Sequence, residues 1–273
     1  MARLIKTDIQ KTCKSPLFLV MAGILAFIMI ADPISVFIER SQHGGSMEPY
    51  CYFLLMNTVS WGANIYYTLY WLFPVLLPGQ LTFQEYNSSF LPFSSIRVKQ
   101  VKYYTSKIIT AFIITSSVVL LLNLLNIGIV WLLFPGDAEM TRLFLSLQPD
   151  AESFARNLFE INPLLVALLF AFINSIGLGI WSIFAVGLQI LFKFRKIYTA
   201  IAIPFAVLYI VTLIFDRTEV LLPFDLKLIA QPATTYALSN PPQLWQMGVC
   251  LFGWLIIGII VSIIGIFRNR DVI

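Results

Sequence analysis

Asp32, in the run IADPISVF, is the one clear carboxylate inside an apolar stretch of this 273-residue chain. A carboxylate so placed can relay a proton, hold a cation or mark a helix bend beside its proline. It lies about sixteen residues, or ~24 Å, beyond the start of the apolar run at Pro16, close to one membrane interface. An Asp-Pro bend is therefore the expected role and an ion site the minor one. His43 is the only imidazole and sits beside Gly44 and Gly45. It reads as a loop residue, because no second His and no Cys cluster accompanies it. Cys13, Cys51 and Cys250 form no C-x-x-C. They read as free thiols, with a Cys51–Cys250 disulfide left open. No G-x-x-x-x-G-K-[ST], H-E-x-x-H or G-x-S-x-G constellation is present, so no catalytic residue and no metal ligand set is expected.

A different chemistry, that of a protein–protein contact, is offered by TFQEYNSSFLPFSSIRVKQVKYYTSK, residues 82–107. This polar, basic, aromatic segment with the single acid Glu85 interrupts two of the most apolar stretches. Asp32 and residues at the ends of the runs apart, the polar residues within the apolar runs are uncharged. Asn64, Tyr67, Thr68, Asn123 and Asn174 are candidates for a weakly polar substrate path. Interhelical hydrogen bonding is the commoner use of such residues.

The elements that carry these residues follow from composition. The chain is 59% hydrophobic and 12% charged, about half the charged fraction usual for a soluble domain. Its apolar runs are too long for strands, and lipid requires backbone groups to be satisfied within each segment. The expected fold is an all-α polytopic membrane protein forming one transmembrane domain over residues 1–273. Six spans are expected, near 16–38, 60–81, 105–134, 163–192, 197–216 and 246–267. Pro204 should kink the fifth. Residues 1–15 should form an interfacial helix, with Leu4, Ile5, Ile9 and Thr12 on one face and Arg3, Lys6, Lys11 and Lys14 on the other. Pro223, Pro232, Pro241 and Pro242 should break the segment before the last span into short re-entrant or interfacial helices. Small residues at helical spacing, Ser175 with Gly179 and Gly258 with Ser262, indicate close helix packing or dimerisation.

Basic residues orient the chain. With both termini inside, thirteen of the 18 Lys and Arg residues fall on the inner side, and acids cluster in the outer segment 135–162. The net charge of +4 is thus a topology signal, and no nucleic-acid partner is expected.

The order of parts resembles the permease subunit of ABC-2-type ABC exporters: an amphipathic N-terminal helix, two spans, a cytoplasmic connector, four spans and a short basic tail. The connector carries the likeness most specifically. Glu85 matches the acid that ends the second span in that family. Ser94, Ser95 and Arg97 approximate its P-x-S-R turn, Lys107 matches the lysine opening the third span, and IGIFRNRDVI resembles its F-x-x-(K/R)-D-(I/V) tail.

The resemblance implies that residues 82–104 form a coupling segment docking on a separate ATPase. Glu85, Tyr86, Asn87, Phe90, Leu91, Phe93, Ser95 and Arg97 would make the contact. It also implies no cofactor in this chain, ATP and Mg bound by two copies of a cytosolic ABC ATPase subunit, and a second permease copy or a related permease beside it in the lipid of a bacterial cytoplasmic membrane. The substrate would be amphipathic: a peptide such as a bacteriocin, or a lipid-like or drug-like compound. The competing expectation is a stand-alone secondary transporter or channel, which the scarcity of intramembrane ionisable groups disfavours.

Overall fold

The computed structural model describes residues 1–43, 60–76, 99–134, 155–194, 196–218, 220–230 and 242–268, apart from the side chains of Arg40, His43 and Pro163. All regular structure among them is helical. In chain order it comprises α1 (Ala2–Cys13), α2 (Pro16–His43), α3 (Trp61–Leu69), α4 (Gln100–Leu133), α5 (Ala155–Ile161), α6 (Pro163–Phe192) and α7 (Ile197–Asp216), then a 3-10 turn (Leu222–Phe224), α8 (Leu226–Ile229) and α9 (Leu244–Arg268). Five of these helices, α2, α4, α6, α7 and α9, are long and apolar enough to cross a membrane.

α6 is the hub. It is buried along 67% of its apolar window, against 22–39% for the other four long helices. Its start is set locally: Asn162 caps it, accepting a hydrogen bond from the Leu164 N–H at 2.9 Å, and Pro163 fills the first turn, where its missing N–H costs nothing. Its most extensive contacts are with α9 and α4, while α2 packs on α4 and α3 on α2. α7 touches α6 only lightly and presents Ile203, Ile210, Leu213 and Ile214 outward. Large apolar side chains on the outer faces of α2 and α9, such as Phe27 and Phe252, are likewise exposed, as suits helices solvated by lipid.

The small-residue pairs serve packing within the one chain. A Cβ on Gly187 would come within 2.6 Å of Ser262 Oγ, and one on Gly265 within 2.9 Å of the Leu191 nitrogen, so α9 lies directly against α6. Gly179 faces α4, where an added Cβ would overlap Ser116 Oγ. Close backbone approach through small residues is the usual way apolar helices associate without a hydrophobic driving force.

The second expected span, 60–81, is not one continuous helix among the described residues. α3 ends at Leu69, a turn occupies Tyr70 and Trp71, and helix resumes over residues 72–76. Pro74 supplies the reason. It lacks an N–H, and its ring would collide with the carbonyl four residues back, that of Tyr70. α6 and α7 have the expected bounds, whereas α2 continues to His43, α4 begins at Gln100 and α9 covers Leu244–Arg268. α7 keeps Pro204 inside a continuous helix. The segment before α9 holds two short helical pieces, and Leu226 and Ile229 are buried. α5, with an Arg156–Glu160 pair at 2.7 Å, was not anticipated.

Aromatic side chains fill the centre. Tyr66 stacks on Tyr70 with centroids 5.1 Å apart, and Tyr70 meets Trp71 at 4.9 Å. Trp71 meets Trp181 edge-on at 6.2 Å, and Trp181 meets Trp254 at 5.7 Å. This file ties the α3 region to α6 and α9, and its members are almost wholly buried.

Candidate functional site

Glu85, Tyr86, Asn87, Phe90, Leu91, Phe93, Ser95 and Arg97 lie outside the described residues, as do Ser94 and Cys51. What is described is where that connector enters the bundle. α4 starts at Gln100, so the last five residues of the expected coupling segment 82–104 are its first turn, and it is 34 residues long, about 50 Å against ~30 Å of hydrocarbon. Its surplus length leaves room for the first turns to stand at the membrane boundary.

Those first turns are not a loose, solvated lead-in. Tyr103, Tyr104, Ser106, Lys107, Thr110 and Ala111 are buried. Tyr103, Tyr104 and Ala111 pack with Val186 and Ile190 of α6 in a small apolar cluster separate from the main core. α1 covers the same turns. Lys107 Nζ lies 2.7 Å from Asp8 Oδ1, and Ser106 Oγ lies 3.1 Å from Asp8 Oδ2. The lysine also stands 5.1 Å from the Tyr103 ring centroid. Thr12, the other buried residue of α1, turns its hydroxyl back to the Asp8 carbonyl at 2.9 Å. Lys107 was placed by sequence at the start of this span, but its partner was missed. The signal was there: Asp8 stands on the face made by Leu4, Ile5, Ile9 and Thr12, where a charge demands a partner.

Of the candidate path residues, the structure brings two together and leaves three apart. Asn123 Nδ2 donates to Asn174 Oδ1 at 3.0 Å. Tyr66 Oη donates to Asn123 Oδ1 at 3.1 Å, and Asn174 Nδ2 donates to the Ala230 carbonyl at 2.7 Å. This buried ladder joins α3, α4, α6 and the end of α8, so Asn123 and Asn174 serve as interhelical hydrogen bonds. Asn126 does the same, donating to the Met29 carbonyl of α2 at 3.0 Å. Asn64 and Thr68 are exposed on α3 and hydrogen-bond to backbone carbonyls of their own turn, and Tyr67 is half-buried beside Tyr66.

Asp32 is fully buried and does more than bend a helix. Its Oδ1 accepts the Gly62 N–H at 2.9 Å, so a carboxylate from α2 caps α3, whose own cap Ser60 accepts from Ala63. Gly62 is required by this approach: a Cβ there would sit 2.5 Å from the Asp32 side chain. Trp61 Nε1 donates to Ser35 Oγ at 2.9 Å, a second tie between the two helices.

A second buried acid, Asp225, lies in the connection between α7 and α9. It accepts from Thr212 Oγ1 at 3.2 Å and from the Lys227 N–H at 3.1 Å, capping α8. Burial pushes its carboxyl above the usual range, and those two hydrogen bonds offset part of the rise. Cys250 is a free thiol that donates to the Phe224 carbonyl at 2.9 Å. At the opposite end of α6, Lys193 holds a left-handed conformation at φ 46°. Its pKa is lowered, by burial first and by the Arg268 charge second. No group of three or more His, Cys, Asp or Glu side chains that could hold a metal occurs among the described residues.

Among known proteins, no family model matches this chain, and no curated protein and no solved structure matches it significantly. The class defined by fold and site is a chain that is helical among the described residues, with five helices there suited to crossing a membrane, pinned by buried polar contacts between helices.

Proposed function

We propose that this chain is the permease subunit of an ATP-driven exporter of the ABC-2 type. In this reading the polypeptide sits in a bacterial cytoplasmic membrane with six spans and both termini cytoplasmic. The one expected span that is not among the five long helices is the second, near 60–81, whose described part holds α3. A separate cytosolic ATPase, present in two copies, binds ATP and Mg. A second permease copy or a related permease completes the path for an amphipathic peptide, lipid-like or drug-like substrate.

The observation that supports this best is the firm anchoring of the first turns of α4, into which the coupling segment runs at Gln100. A solvated inner loop would need no buried anchorage. Here the receiving turns are packed against α1 and α6 and held by a buried ion pair. A segment that transmits a push needs a rigid receiver. The 273 residues carry no P-loop, and the proposal places nucleotide hydrolysis on the partner.

The test is affinity capture of the tagged chain from native membranes. A co-purifying protein with a P-loop is expected, and its yield should drop with Glu85→Ala combined with Arg97→Ala. Capture that recovers no nucleotide-binding protein would sink the proposal. One observation favours the alternative of a secondary transporter: Asp32 is a fully buried carboxylate in a helix suited to crossing a membrane. That reading requires gradient-driven flux in vesicles holding this chain alone, abolished by Asp32→Asn.

A further inference from the structure

We infer that Asp8 and Lys107 are positioning residues that join α1 to the base of α4, so that the two helices receive the connector's displacement as one unit. The inference rests on the proposed coupling role of residues 82–104 and specifies how its motion would divide.

Three observations carry it. α1 packs much more extensively on α4 than on α2, its immediate successor in the chain. The helices α1 and α2 are separated by a break at Lys14 and Ser15, with Pro16 opening α2. α1 is therefore hung on α4 and only leashed to α2. Second, the joint is specific. Slippage of apolar side chains past one another costs little, whereas a carboxylate held by both Lys107 and Ser106 has one register. Third, the cluster of Tyr103, Tyr104, Ala111, Val186 and Ile190 is distinct from the main core, so the base of α4 has its own packing unit. A displacement entering at Gln100 would tilt α4 and carry α1 with it, and α1 would pull on the start of α2 through Ser15. Without the ion pair, α4 would still be pushed but α1 would lag.

The joint can be measured directly. Cys13 is exposed and takes a spin label, as does Lys102→Cys on the exposed side of α4, with Cys51→Ser and Cys250→Ala in the background. In nanodiscs the pair should give one narrow distance distribution. Asp8→Asn should broaden it at least twofold, and the charge swap Asp8→Lys with Lys107→Asp should narrow it again. Where Asp8→Asn fails to fold, Asp8→Asn with Lys107→Met removes the charge from both partners and serves in its place.

The second arm is ATP turnover of the complex captured with its ATPase. Asp8→Asn should lower turnover at least fivefold while the amount of bound ATPase stays the same. An unchanged distance distribution overturns the inference. So does a broadened one with turnover within twofold of wild type, which would make the pair structural only. If no ATPase is captured, the coupling role itself fails, and the distance arm still decides whether the joint exists.

Discussion

Lys107 Nζ and Asp8 Oδ1 are 2.7 Å apart, 99 residues distant in sequence, with side chains only 3% and 8% exposed. Removing one partner strands a buried charge, whereas removing both does not. Asp8→Ala and Lys107→Ala are each expected to cost about 3–5 kcal/mol. Asp8→Ala with Lys107→Ala in one chain should cost clearly less than the two single losses together. Thermal unfolding followed by tryptophan fluorescence in detergent measures this, and strictly additive losses would contradict it.

Gly62 is fixed by the Asp32 carboxylate that caps α3. Gly62→Ala should destabilise by about 1–3 kcal/mol, since the new methyl meets that side chain at 2.5 Å. Asp32→Asn keeps an oxygen for the Gly62 N–H and should be the milder change. Equal losses from the two substitutions in the same unfolding assay would remove the capping role.

Asp225 makes stability depend on pH in a direction opposite to the common carboxylate case. Burial raises its folded-state pKa, so the folded chain holds the proton more tightly than the unfolded one. Its contribution is full below the ordinary carboxylate range and is lost as pH rises through the raised value. As pH rises from the ordinary carboxylate range through the raised value, the wild type should lose more Tm than Asp225→Asn does. A steeper loss in Asp225→Asn would reverse the sign of the argument.

At the end of α6, Lys193 adopts a backbone conformation that favours glycine. Lys193→Gly should stabilise by about 0.5–1 kcal/mol, relieving both the left-handed backbone and the repulsion from Arg268. A lower Tm for this variant would show that the lysine stem contributes more packing than the strain it imposes.

The helices were legible wherever an apolar run was long enough to cross a membrane. α2, α4, α6, α7 and α9 lie where hydropathy puts them, Pro33 in α2 and Pro204 in α7 notwithstanding, with ends that polar caps such as Asn162 adjust. Residues 60–81 misled because hydropathy does not register Pro74, whose conflict with the Tyr70 carbonyl decides the local geometry. Pro204 lies inside a continuous α7. The ties between helices were the least legible. Asn123 with Asn174, and Asp32 with Gly62, pair across 51 and 30 residues, and nothing local in the sequence announces the partner. Asp8 was hidden among four basic neighbours in the N-terminal helix, although its place on the apolar face gave it away.

ATP hydrolysis by the assembly captured on this chain tests the central claim most directly. A tagged chain purified from its native membrane should bring an ATPase with it. The preparation should turn over ATP, and Glu85→Ala with Arg97→Ala should abolish most of that turnover or the capture itself. A chain that purifies without ATPase activity, yet drives solute flux in vesicles from an ion gradient alone, would contradict the account.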